Sequence, residues 1–184
     1  MTGKSGLLAG KKGLIMGLAN NRSIAWGIAK AAADAGAELA FSYQGEGLKK
    51  RVVPLVESLG SDFMLECDVT DDASVEALFD QIEERWGKLD FVVHAIAFSD
   101  KGELTGRYVD TSAENFKNSM LISCYSFTAI ANKAEKLMTE GGSLITLTYY
   151  GAERVMKTCA TMGQAAGTAA AYAVYVCLLF LSLR

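Results

Sequence analysis

Gly13-Leu14-Ile15-Met16-Gly17-Leu18-Ala19-Asn20-Asn21-Arg22-Ser23-Ile24-Ala25 decides the fold. Its first five residues carry no charge and read as a strand buried on both faces, because such a strand is apolar without alternation. Residues 18–23 form a polar turn, and a helix is expected over 23–35, with Ile24, Ile28 and Ala31 on one face and Gly36 ending it. Gly17, Ser23 and Ala25 stand in a G-x5-S-x-A spacing. A glycine at a strand end lets the backbone pass close to a pyrophosphate. The small Ser23 and Ala25 open a helix whose N-terminal amides attract phosphate charge. On spacing alone a plain glycine turn before a capped helix fits as well. The position after the first strand of an alternating chain favours the dinucleotide. A branched side chain at Gly17 is then expected to fill the pyrophosphate space and leave the domain folded.

The same alternation continues outward. Strands are expected over 37–43, 63–69, 89–96 and 143–148, and helices over 48–59, 71–86 and 115–139, with Gly60 and Gly141-Gly142 as stops. Strand and helix repeated with short links predict an α/β fold, a doubly wound parallel sheet of Rossmann type, in one domain spanning 1–184. Three further strand ends are candidates for the same site. The second strand closes Phe41-Ser42-Tyr43-Gln44; Gln44 can hydrogen-bond ribose hydroxyls but carries no charge for a 2′-phosphate, which favours NADH, although Lys49, Lys50 and Arg51 follow. Cys67-Asp68-Val69 closes the third, where Asp68 could accept from an adenine amino group with Val69 on the ring, or could cap the next helix. After the fourth, His94-Ala95-Ile96-Ala97-Phe98 supplies small residues beside a flat cofactor; His94 itself reads as a satisfied strand-end side chain rather than a base.

Composition narrows the classes. Half of the 184 residues are apolar and a fifth charged, as in folded globular proteins. A net charge of −3 offers no basic field for nucleic acid. Four scattered cysteines with no C-x-x-C pair, and a single histidine, argue against a metal site or a disulfide framework. Residues 1–12 lack the apolar core of a signal peptide.

Those motifs, together with Leu147-Thr148-Tyr149-Tyr150-Gly151-Ala152-Glu153-Arg154, resemble the bacterial enoyl-acyl-carrier-protein reductases, a divergent branch of the short-chain dehydrogenase/reductases. The resemblance implies an NADH-dependent enzyme of fatty acid biosynthesis, a cytoplasmic homotetramer acting on an enoyl thioester carried by acyl carrier protein. It implies hydride transfer to the β-carbon of a trans-2-enoyl thioester, with the enolate oxygen held by a tyrosine hydroxyl and a ribose hydroxyl. By the same resemblance Gly17, Ser23, Ile24, Gln44, Asp68, Val69 and Ile96 line the cofactor, Ser99 contacts the acyl group, and Tyr149 is catalytic. The long helix carrying Phe116, Met120, Tyr125 and Phe127 is expected to serve core and subunit interface.

From 157 to 184 the sequence departs from the family pattern. Met162-Gly163-Gln164-Ala165 keeps the register, which puts Cys159 at the family's tyrosine and Ala166 at its lysine. A thiol is a weak donor and alanine has no charge. Residues 159–183 are uncharged throughout. A missing or altered C-terminal segment, an inactive paralogue that binds the cofactor alone, and a membrane role of this run remain three readings, the last disfavoured by its interrupting polar residues.

Overall fold

The computed structural model describes residues 6–147 and, as backbone, Leu178–Leu183. Five parallel strands carry the architecture: β1 (Lys12–Met16), β2 (Glu38–Tyr43), β3 (Met64–Glu66), β4 (Phe91–His94) and β5 (Gly142–Leu147). A sixth, β6 (Leu178–Leu183), pairs antiparallel along the whole of β5. The order is β3-β2-β1-β4-β5-β6. The expected parallel sheet therefore has an antiparallel edge.

Period-2 alternation splits the core between the two faces of the sheet. Leu14 and Met16 of β1 face one way, against Val75, Leu78, Phe79 and Ile82 of α3 (Asp72–Trp86) and Ile130 and Ala134 of α5 (Ser126–Ala134). Ile15 faces the other, with Phe41 and Val93, against Ala25, Ala29 and Ala32 of α1 (Ile24–Asp34) and Val52 and Val56 of α2 (Gly45–Ser58). Helices on both faces make the sheet doubly wound.

Two helices differ from the sequence expectation. The inner face of α1 is Ala25–Ala29–Ala32, and Ile24 is 60% exposed. A helix that follows a glycine turn this tightly lies close to the sheet, and alanine is the side chain that fits there. The helix expected over 115–139 is broken into α4 (Ala113–Met120), a π turn (Leu121–Tyr125), α5 and a 3₁₀ turn (Glu135–Leu137). Its buried positions Asn115, Ser119, Ser126, Ile130 and Ala134 span one residue more than the roughly 18 of five α-helical turns. The local cause is Ser126. Its hydroxyl donates to the Ile122 carbonyl at 2.6 Å, while its amide reaches back to the Leu121 carbonyl, the π spacing. Phe127 packs on the core and Tyr125 is 58% exposed.

Candidate functional site

In an open α/β sheet, ligands bind beyond the carboxyl ends of the strands where the strand order reverses. Here that point lies between β1 and β4. A crevice of about 230 Å³ opens there, and Gly17, Gln44, Asp68, Val69 and Ile96 all line it. Four separate strand ends, far apart in sequence, thus converge. A larger cavity of about 520 Å³ lies at the opposite, amino ends of β2 and β3, bounded by Gly36, Ser61 and Trp86. Two of its three charged groups, Arg85 and Asp62, pair with each other, and it is remote from the reversal point.

Gly17 has φ +86°, and a Cβ there would lie 2.1 Å from the Ala95 carbonyl oxygen and 2.5 Å from its carbon. The glycine is therefore required by the main chain of the neighbouring loop itself. That revises the expectation that a larger residue would only block the pyrophosphate: it would collide with the protein first. Ser23 caps α1, accepting from the Trp26 amide at 3.2 Å and donating to the Asn20 carbonyl at 2.7 Å. Ser23 and the exposed Ile24 mark the amino end of α1 beside the crevice rather than lining it.

Asp68 does not cap α3; Asp71 does, through the Ala73 amide. The Asp68 carboxylate instead accepts from the Thr70 hydroxyl at 2.7 Å, the Thr70 amide at 2.9 Å and the Gln44 amide group at 2.9 Å. The Thr70 hydroxyl above all, then the Thr70 amide and Gln44, hold its pKa below the usual carboxylate range against partial burial. The residues expected to meet adenine and ribose are thus locked to each other. Lys49 forms an ion pair with Glu46 at 2.9 Å and lies over the Tyr43 ring.

His94 is fully buried, and burial pushes its pKa down to about 4. Ser126 spends its proton on Ile122, so His94 Nε2 donates to Ser126 Oγ at 2.8 Å and Nδ1 accepts from the Thr146 hydroxyl at 3.3 Å. The imidazole is a neutral spacer between strands and helix, as a satisfied strand-end side chain should be. Cys67 is buried as well, and desolvation raises its thiol to about 11, which leaves it protonated and unreactive.

Ser99 turns towards Asn115: the Asn115 side-chain amide donates to its hydroxyl at 3.2 Å, and Asn115 also accepts from the Asp100 amide at 2.9 Å. Ser99 is outside the crevice lining. Tyr149, Cys159 and Ala166 lie outside the described residues. Sequence reasoning missed Ile122, which reaches the crevice from the π turn. Ser119 and Ser126, on the buried side of an amphipathic helix, were the signal available. Among the described residues no cluster could hold a metal and no helix is long and apolar enough to cross a membrane.

The family model described as enoyl-(acyl carrier protein) reductase matches residues 17–178. The enoyl-[acyl-carrier-protein] reductase [NADH] 1 of Rhizobium meliloti is 62% identical over 165 residues, covering 90% of this chain and 61% of that protein. The chain spans about three-fifths of the length of the curated relatives it matches. The crystal structure of the Anaplasma phagocytophilum reductase in complex with NAD superposes with a TM-score of 0.80 at 55% identity, over 93% of this chain and 68% of that one. The Bacillus cereus reductase with NADP+ and indole naphthyridinone gives 0.79 at 46% identity, over 87% and 63%. With a crevice at the reversal point of a doubly wound sheet and a family match across most of its length, the chain belongs to the enoyl-(acyl carrier protein) reductase family.

Proposed function

We propose that this chain forms the NADH-binding part of an enoyl thioester reductase acting on acyl groups carried by acyl carrier protein. The observation that carries the reading is the convergence of Gly17, Gln44, Asp68, Val69 and Ile96 on one crevice at the reversal point. The residues present fit a dinucleotide. Gly17 keeps the floor free of side chains, the amino end of α1 offers unpaired amides, and Asp68 presents an ionised acceptor. Val69, Ile96 and Ile122 add apolar surface for flat rings. When bound, NADH supplies the hydride that goes to the β-carbon of the enoyl thioester. Gln44 orients the ribose once released from Asp68, and a neutral, buried His94 takes no part in proton transfer. By resemblance, Tyr149 sits beside the acyl group and Ser99 meets the acyl chain. A cytoplasmic homotetramer goes with this reading.

A second reading, binding without turnover, rests on Cys159 and Ala166 standing at the family's tyrosine and lysine positions. Calorimetric titration with NADH, followed by NADH oxidation in the presence of a crotonyl thioester, separates the two. Binding with turnover is expected for the reductase and binding alone for the second reading. Absence of NADH binding defeats both.

A further inference from the structure

We propose that Ser123 is a positioning residue for the cofactor crevice, holding the loop after β4 by both main-chain groups of Phe98. The Phe98 amide donates to Ser123 Oγ at 3.0 Å, and the Ser123 hydroxyl donates back to the Phe98 carbonyl at 3.3 Å. One side chain thus satisfies a donor and an acceptor on a loop whose residues Ala95, Ile96, Ala97 and Phe98 all line the crevice. The Ala95 amide, bonded to Met16 of β1, holds one end of that loop, and Asn115 holds Ser99 and the Asp100 amide at the other; Ser123 fixes the stretch between them at Phe98, which is 46% exposed.

The π turn is what makes the contact possible. Ser126 draws the Ile122 carbonyl to its hydroxyl and opens the helix by one residue at this place. Ile122 then faces the crevice while the adjacent Ser123 faces the Phe98 main chain. A π turn inside an α-helix costs regular hydrogen bonds, and such turns concentrate at functional sites. Here the return is a clamp from the helix onto the crevice floor. Ser123 acts through the backbone of residues 95–98. The proposal rests on the reading of the crevice as the NADH site.

The test compares Ser123→Ala and Ser123→Thr with the unmodified chain by NADH calorimetry and by hydrogen exchange of the Phe98 amide without cofactor. Ser123→Ala is expected to weaken NADH by about tenfold, the equivalent of one hydrogen bond of ordinary net strength. It should also speed Phe98 exchange by at least about tenfold, while far-ultraviolet circular dichroism stays native. Ser123→Thr keeps the hydroxyl and is expected within about twofold of the unmodified chain in both readouts. Unchanged NADH affinity in Ser123→Ala overturns the proposal, as does unchanged Phe98 exchange. An equal loss in Ser123→Thr overturns it too, since shape and not the hydroxyl would then matter. If the unmodified chain binds no NADH while Phe98 exchange responds to Ser123→Ala, the clamp is real and the crevice reading is what fails, taking the positioning role with it.

Discussion

Gly17→Ala should destabilise the whole domain, and by an amount the geometry sets. The added Cβ would stand 2.1 Å and 2.5 Å from the carbonyl oxygen and carbon of Ala95, and 3.2 Å from the Ile96 amide nitrogen. All three are backbone atoms, so no side-chain rotation relieves the contact. The backbone there also has φ +86°, a conformation that costs an L-residue about 1–2 kcal/mol. Overpacking adds about 1–3 kcal/mol. The sum, roughly 2–5 kcal/mol, is a large part of the 5–15 kcal/mol that holds ordinary domains together. At about 2–4 °C per kcal/mol for a chain of this size, Tm should fall by about 4–20 °C. Gly27→Ala is the control: it lies in α1, meets nothing within 4 Å and needs no positive φ. It should be neutral or stabilising by up to about 1 kcal/mol. Thermal melts followed by circular dichroism, with NADH titration below Tm, read both effects. A Gly17→Ala protein that melts within 2 °C of the original would refute the claim that the glycine is required by Ala95.

His94 is neutral when folded, with a pKa near 4 against 6.5 when unfolded, so its contribution is complete above about pH 6.5, is lost as pH falls towards 4, and changes no further below. The loss should amount to about 3 kcal/mol when read by urea denaturation, and His94→Gln should flatten the curve between pH 6.5 and 4; an unaltered slope in that variant refutes the assignment to the chain's single histidine. The depressed carboxylates Asp68, Asp90 and Glu103 contribute stability that is lost as pH falls from the unfolded pKa through the folded one, so they add to the loss only at the acid end of that window and are common to both proteins. NADH should bind more tightly than NADPH, because Gln44 is uncharged and Lys49 is engaged by Glu46. Glu46→Gln should narrow the difference, and an unchanged ratio of the two affinities by calorimetry would exclude Lys49 from it. Asp68→Ala removes the acceptor shared by Thr70 and Gln44 and should weaken NADH by about tenfold; equal affinity would place the adenine elsewhere.

Periodicity and turn chemistry carried most of the architecture, because they are local properties. The uncharged strand after Lys12, Ser23 at the opening of a helix, and Gly36 and Gly60 at positive φ can each be read from neighbours in sequence. The candidate positions at four strand ends were legible for the same reason: a parallel sheet brings all carboxyl ends to one edge, so naming the strand ends names the edge. What those residues do to one another was not legible. That Gln44 and Asp68 bond each other, that Gly17 is needed by Ala95, and that Ser99 turns to Asn115 depend on groups 24, 78 and 16 positions apart meeting across strands and loops. The π turn belongs with them. The sequence from 115 to 139 reads as one amphipathic helix, and only the competition of the Ser126 hydroxyl for the Ile122 carbonyl, with His94 buried behind it, opens the turn that brings Ile122 and Ser123 to the crevice. Local patterns determined which elements form and which ends they present; the contacts between elements, paid for in no single segment, decided the geometry of the site.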